Sequence, residues 1–540
     1  MFDKAFNLLD EPWIRVVRPD ATEVEVSLTD ALLGAHAYAD LAGELPTQDV
    51  AVLRLLLAVL HTVFSRVDCR GQEAPLTSTP GALKRWGELW QLGHFPEEPL
   101  RAYLAAWHER FWLFHPERPF YQVNEAAIGT QSGACKLNGE ISQSANKERL
   151  FSVRSGAQKE RLSYAEAARW LLYLNGFDDT SAKPKGKDLP TPGIGWLGKL
   201  GLITAVGRNL FETLMLNLVL LPDKKPWPEP EQPCWELERP RIGERVQIAM
   251  PRNAAGLLTL QSRRILLQRE GDAVTGYTLL GGDFFPREDA LLEQMTVWTE
   301  VKDKKGNHRV DQPRRHDATR QMWRDFSAIA AEADGRIRPG VVSWVSYLQR
   351  AGMLPGVKRV CLRIASVQYG DKDFFISHVF DDRLTFHAEL LTEAGAVGYQ
   401  KAAEEIARVE TAAKYAGWLA GDLDRAAGGR GTAWEDRAQE RLFDWVDAPF
   451  RLWLASLDPD AGAEALLEQQ ISWREQARSL ARQLGEEMVA QAGQKAFVGR
   501  TVKLKRNGKE EERHYSAPEA INLYMRRLNK LYPANQETGE

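Results

Sequence analysis

The segment Gly193-Ile194-Gly195-Trp196-Leu197-Gly198-Lys199-Leu200 places glycines and a lysine at the spacing of a phosphate-binding loop. That chemistry needs a hydroxyl after the lysine to hold Mg²⁺, and Leu200 stands there instead. Trp196 and Leu197 are also bulky and apolar for backbone that must wrap phosphates, so a glycine-rich packing turn is the expected role. His316-Asp317 has the form of the metal-binding dyad of phosphohydrolases, which makes a Mg²⁺- or Mn²⁺-dependent nuclease or phosphohydrolase the enzymatic alternative. Such a centre needs further His and Asp ligands from other helices, and the chain has only ten histidines. The flanking Arg314, Arg315 and Arg320 look more like an anion-binding surface. No H-E-x-x-H, G-x-S-x-G or cysteine-nucleophile pattern is present. Cys69, Cys135, Cys234 and Cys361 lie far apart without a C-x-x-C pair, so neither a zinc ribbon nor a disulfide framework is readable. No cofactor is expected.

Cationic clusters are the stronger signal. Between Lys302 and Arg324 stand eight basic residues, among them Lys304, Lys305, Arg309, Arg314 and Arg315, against three Asp. Gly306 and Pro313 allow an exposed loop there, which suits phosphate contacts. Further clusters are Lys147, Arg149, Arg154, Lys159 and Arg161; Lys183, Lys185 and Lys187; and Arg500, Lys503, Lys505, Arg506 and Lys509, the last offset by Glu510, Glu511 and Glu512. Each has a bland reading as a solvated face. A pure scaffold protein is therefore the second alternative.

The elements that must position these residues fall into two parts. At 540 residues the chain is too long for one core, and its 44% apolar and 27% charged content is that of an ordinary soluble, cytoplasmic protein. The net charge of −4 argues against coating nucleic acid non-specifically. Val50–Phe64 carries Arg54 and His61 and is short for a bilayer, so it predicts a buried helix and no membrane association. The start, Met1-Phe2-Asp3-Lys4, lacks a secretory layout. Strands are expected at 13–17, 23–28, 246–250, 265–268, 295–301 and 360–366, and helices at 48–66, across 86–112, at 164–174 and at 210–221. After His387 four helical blocks follow, at 388–426, 433–457, 463–492 and 517–532. Trp434, Trp445 and Trp453 are expected as core anchors in them. The fold class is thus α+β: a large mixed α/β N-terminal domain over 1–385, then a C-terminal four-helix bundle over 386–540.

Several landmarks carry a family resemblance. The opening Asn7-Leu8-Leu9-Asp10-Glu11-Pro12-Trp13-Ile14, the segment Phe114-His115-Pro116-Glu117-Arg118-Pro119-Phe120-Tyr121-Gln122 and Leu162-Ser163-Tyr164-Ala165-Glu166-Ala167-Ala168-Arg169 come in order. Gly195-Trp196-Leu197-Gly198 and Asn209-Leu210-Phe211-Glu212-Thr213-Leu214-Met215-Leu216-Asn217-Leu218 follow. Together they resemble the CasA family, the large subunit of the type I-E CRISPR surveillance complex (Cascade), over most of the chain. The resemblance implies a non-enzymatic subunit of a guide-RNA complex in antiviral defence. It would recognise a short motif (PAM) in duplex DNA, open the first base pairs, stabilise the R-loop and recruit a separate helicase-nuclease. Its partners would be the other Cascade subunits, the guide RNA and double-stranded DNA. Paired cysteines that ligate zinc in some family members are missing, so no structural metal is expected.

The resemblance also assigns loops. Residues 142–161 occupy the family's long mobile loop, with Arg149, Phe151 and Arg154 directed to guide RNA and a neighbouring subunit; a buried Phe151 is the plain alternative. After the Tyr164 helix, Thr180, Ser181, Ala182, Lys183, Lys185 and Lys187 stand where family members offer a glycine-rich approach to the PAM minor groove. Small polar groups there can donate hydrogen bonds and lysines can hold phosphates. The turn Asp371-Lys372-Asp373-Phe374 aligns with the family's wedge hairpin but lacks its glutamines. Lys372 or Phe374 is expected to separate strands, because an Asp repels phosphate; a polar hairpin with Phe374 in the core is the alternative.

Overall fold

A computed structural model describes residues 3–143, 151–184, 188–238, 241–302, 309–330, 337–432, 434–506 and 509–533. The chain divides into two compact units. One comprises Met1–Met322, Ala328–Pro355 and Val360–Arg383, the other Trp323–Ser327, Gly356–Arg359 and Leu384–Glu540.

The first unit is built on α1 (Pro46–Arg66), begun by a proline whose missing N–H the first turn does not need. By length and composition it could cross a bilayer, yet its apolar window is wholly buried inside the protein, so it is a core helix. Its buried guanidinium, Arg54, is 2% exposed and holds the equally buried Glu293 through two bonds of 2.8 and 3.1 Å. Glu293 also accepts from the Trp196 indole at 3.2 Å. Beyond α1 the helical stretch expected across 86–112 is two helices, Thr79–Leu92 and Glu97–Trp107, broken where Gly93 turns left-handed and Pro96 follows.

The strand β1 (Thr130–Gly133) precedes α2 (Tyr164–Phe177). Ser163 and Glu166 close a reciprocal capping box at the start of α2. Next come β2 (Ile203–Val206) and α3 (Leu210–Asn217). The sequence pattern extends α3 to Leu221, but Asn217 ends it by turning its amide back onto the Ala205 backbone, donating to its carbonyl and accepting from its N–H. The pair β3 (Arg263–Glu270) and β4 (Ala273–Gly281) joins β1 in an antiparallel sheet ordered β1-β4-β3. Gln122 fastens β3 from outside, accepting from the Leu267 N–H at 2.9 Å and donating to the Leu113 carbonyl. Residues 246–250, expected as a strand, make only an isolated bridge between Gln247 and Phe284. The hairpin β5 (Trp298–Lys302) and β6 (Arg309–Pro313) follows. A third sheet has β7 (Arg359–Tyr369) between β8 (Ile376–His387) and β2.

In the second unit four long helices, α4 (Ala396–Ala427), α5 (Glu435–Ser456), α6 (Gly462–Gln491) and α7 (Ala517–Leu531), pack with α4 against each of the others. Trp473, Ala477, Leu484 and Met488 form the buried stripe of α6. Trp453 is buried as expected, whereas Trp434 is 49% exposed at the start of α5, with Arg437 over its ring. The basic residues after Gly499 lie in a hairpin, β9 (Arg500–Arg506) and β10 (Lys509–Tyr515), where Lys503 faces and pairs with Glu512 at 3.4 Å.

Breaking the buried Arg54–Glu293 pair strands a charge. We expect Arg54→Met to cost about 3–5 kcal/mol in chemical denaturation. Adding Glu293→Gln, which keeps an acceptor for Trp196, should recover more than half of that. Glu231 is buried beside a neutral His61 and accepts from the Ala255 N–H; burial pushes its carboxyl up to about 7. The folded state therefore holds a proton on Glu231 that the unfolded chain releases near its ordinary carboxylate value, so this group's own contribution to stability falls as pH rises from about 4.5 to 7, while the buried neutral His61 contributes the opposite slope. Glu231→Gln should remove the falling component, so the melting temperature of the variant rises relative to that of the unaltered protein across this window.

Candidate nucleic-acid interface

The site is assembled around the end of α2. Asp178 terminates the helix with its N–H on the Leu174 carbonyl and its carboxylate buried, 1% exposed. Two cations meet that carboxylate: Arg263, from the first position of β3, at 2.5 Å, and Lys183 at 2.9 Å. Arg263 reaches onward to the Gly193 carbonyl at 2.6 Å. Burial pulls the Lys183 ammonium below its ordinary pKa, partly offset by Asp178. Burial would raise Asp178, but the two cations win and hold it below the usual carboxylate range.

Lys183, expected to hold phosphate, has its ammonium turned inward in this structure. Its side chain is 2% exposed, and its ammonium also donates to the Asp179 and Ser181 carbonyls at 2.8 and 2.7 Å. Asp179 in turn accepts from the Ser181 N–H, so residues 179–183 form a closed turn. The Ala182 carbonyl accepts from the Thr130 hydroxyl of β1 at 3.2 Å. Lys185 and Lys187 lie outside the described residues.

This turn grips the one at 370–374. Thr180 donates its N–H to the Asp373 carbonyl at 3.0 Å and its hydroxyl to the Lys372 carbonyl at 2.9 Å. Lys372 and Asp373 sit at φ 54° and 56°, the left-handed region that costs roughly 1–2 kcal/mol per non-glycine residue. Asp373 does not project a bare charge: Arg315 pairs with it at 2.9 Å while lying over the Tyr369 ring. Asp371 and Lys372 are exposed, and Phe374 is 44% exposed rather than in the core. Below the turn, the buried Tyr369 hydroxyl donates to the Phe177 carbonyl at 2.7 Å.

The near-phosphate-loop at 193–200 is the packing floor of this assembly. A Cβ on Gly195 would meet the Gly176 carbonyl at 2.3 Å, and one on Gly198 would meet the Tyr369 hydroxyl at 2.1 Å. The glycines there serve close backbone approach. Lys199, in the same segment, has its pKa lowered to about 8, by burial first and then by Arg263, Arg287 and Arg245. Arg287, which the sequence reading missed, is close enough to Arg315 and Asp373 for their charges to act on it. It has no acidic partner at ion-pair distance among the described residues. It follows Phe285-Pro286 as a lone arginine, with no cluster to mark it.

The remaining expected residues disperse. Phe151 is 92% exposed, which removes the core alternative. Arg154 is tied to Glu166 of the α2 capping box, and Arg149 lies outside the described residues. Arg309, on β6, pairs with Glu300 across the hairpin at 2.8 Å; Lys304 and Lys305 lie outside the described residues. Arg314 donates its N–H to the Val297 carbonyl. His316 is buried with Nε2 3.0 Å from the Leu202 carbonyl, and Asp317 accepts from Thr319. Neither belongs to a group of three metal-ligating side chains among the described residues. The group that does occur there is His387, Asp458 and Asp460 of the second unit. Its histidine accepts from the Glu389 N–H at Nδ1, so Nε2 presents an N–H to the acids rather than a lone pair to a metal.

Replacing Thr180 by Val removes the hydroxyl bond to Lys372 and should weaken the turn by about 0.5–1.5 kcal/mol. Hydrogen exchange at the Gly370 and Asp373 amides should quicken by up to about tenfold, with the rest of the unit unchanged.

The family model described as CRISPR-associated protein Cse1 matches residues 7–484. A "CRISPR-associated protein CasA/Cse1" of Thermus thermophilus is 34% identical over 343 residues, 62% of this chain and 61% of that protein; the match thus spans less than two thirds of that relative's length. The crystal structure of Thermobifida fusca Cse1 is similar with a TM-score of 0.82 at 30% identity, covering 98% of this chain and 99% of that one. A chain of a CRISPR RNA-guided surveillance complex, pre-nicking, is similar in fold with a TM-score of 0.65 at 18% identity, covering 99% and 100%.

Proposed function

The chain belongs to the CRISPR-associated Cse1 family, and from that premise we propose that it is the non-enzymatic large subunit of a cytoplasmic CRISPR RNA-guided surveillance complex of the Cascade type. In this reading residues 1–385 dock on the guide complex and inspect the PAM in duplex DNA, help to open the duplex and stabilise the R-loop. The four long helices after Leu384 act as a bundle, and the docked complex recruits a helicase-nuclease. The partners are the other protein subunits, the guide RNA and double-stranded DNA, with base pairing to the guide carrying the sequence search.

The observation that carries this reading is the joining of the 178–183 turn to the 370–374 turn through Thr180. Two segments far apart in sequence present small polar groups, Lys372 and the half-exposed Phe374 from one frame. Arg315 and Arg287 supply positive potential beside it. Small groups and backbone suit the narrow minor groove, and an apolar side chain beside a cation suits entry between base pairs. A non-enzymatic role fits the separate engagements of His316, on the Leu202 carbonyl, and Asp317, in a local turn with Thr319. Weak duplex binding by the chain alone fits its net charge of −4.

The test is to reconstitute the guide complex with and without this chain and measure affinity for one target flanked by every short motif. Affinity should depend on the flank only when the chain is present; equal binding with and without it would leave only a scaffold role. Arg287→Ala should lower affinity and reduce the salt slope by about one unit if the guanidinium meets a phosphate.

A further inference from the structure

Among the described cations near the joined turns, Lys183 shares with Arg263 a geometry that excludes contact with solvent. An ammonium has three N–H donors, and here three acceptors meet them: the Asp178 carboxylate at 2.9 Å and the Asp179 and Ser181 carbonyls at 2.8 and 2.7 Å. The side chain is 2% exposed. To reach a phosphate it would have to abandon a buried carboxylate that Arg263 also holds. The residues it ties down flank Thr180 on both sides, and Thr180 supplies two bonds to the left-handed Lys372–Asp373 pair.

We propose that Lys183 is a positioning residue: it latches the 179–183 turn so that Thr180 holds the strained 370–374 turn in its presenting conformation, without touching nucleic acid itself. The ordering runs in one direction. The buried Asp178–Lys183–Arg263 group fixes the backbone of residues 179–181, that backbone aims the Thr180 N–H and hydroxyl, and those two bonds over-determine a conformation that two non-glycine residues otherwise avoid. Arg315 on the Asp373 carboxylate adds a second restraint from the other side. A latch acts on the selectivity of the face. A phosphate contact acts on affinity for every sequence alike and on its salt dependence. The inference rests on the duplex-inspection reading for its binding readout, but not for its conformational one.

The experiment uses the full chain in the reconstituted guide complex, with Lys183→Met, Lys183→Gln and Lys183→Arg compared with the unaltered protein. Duplexes carrying every flank are titrated at several salt concentrations. Lys183→Met should compress the ratio between best and worst flank by roughly tenfold while the salt slope stays within a few tenths of a unit; Lys183→Arg, which can still pair with Asp178, should restore part of the ratio. A slope lower by about one unit with the flank ratio unchanged would make Lys183 a phosphate contact and overturn the latch. An unchanged ratio and slope would overturn it as well. If Lys183→Met does not fold, Lys183→Gln, a shorter side chain without the charge that pairs with Asp178, carries the same expectation. If the unaltered chain confers no flank preference, the functional reading fails, and hydrogen exchange on the chain alone then decides the latch. Faster exchange at the Gly370, Asp373 and Phe374 amides in Lys183→Met supports it, and unchanged exchange there refutes it.

Discussion

Asp178 is a carboxylate withdrawn from water at the end of a helix, and the neighbouring polar groups are arranged to offset that cost. Left alone it would take up a proton or pull the helix end toward solvent. Arg263 and Lys183 meet it from the two strands of chain that must come together here, β3 and the turn after α2. The desolvation of all three groups makes the arrangement a poor source of net stability but a strict one in geometry: removing Asp178 leaves two buried cations unpaired, and removing either cation leaves the carboxylate with a single partner. The turn at 179–183, the grip of Thr180 on Lys372 and Asp373, and the floor made by Gly195 and Gly198 all inherit their positions from it.

The face so ordered is cationic on a protein whose net charge is negative. Lys199 is pressed down by burial and by Arg263, Arg287 and Arg245, while Asp373, one of the two acids of the exposed turn, is paired with Arg315. An acidic residue at a turn that faces phosphate is acceptable when it serves to orient an arginine. In the proposed role, such segregation would let a weakly binding subunit inspect many duplexes and leave residence time to its partners.

Much of the local structure was legible because its causes are local. The α2 start follows from Ser163 and Glu166 three residues apart, the α1 core helix from an apolar run interrupted only by Arg54, His61 and Thr62, and the α6 stripe from Trp473, Ala477, Leu484 and Met488 at helical spacing. The two turns that the sequence singles out do meet in the structure, but which of their side chains are buried was not legible. Lys183 beside Lys185 and Lys187, between small residues and a proline, has the pattern of a solvated phosphate holder. Its burial is decided by Arg263, eighty residues along the chain, which no spacing reveals. The left-handed pair Lys372–Asp373 carries no glycine to announce it. Arg287 lacks neighbouring cations in sequence and gains them only when β3, the 193–200 segment and the segment after β6 that carries Arg315 converge. The end of α3 at Asn217 likewise depends on a tertiary bond to Ala205 that overrides helical periodicity.

The most direct measurement is hydrogen exchange on the chain within the guide complex, with and without a duplex carrying a preferred flank. Protection gained together at residues 178–184 and 370–375 is the result expected if the joined turns form the face that meets DNA. Protection gained only in the helices after Leu384, with both turns exchanging as in the unbound complex, would contradict it.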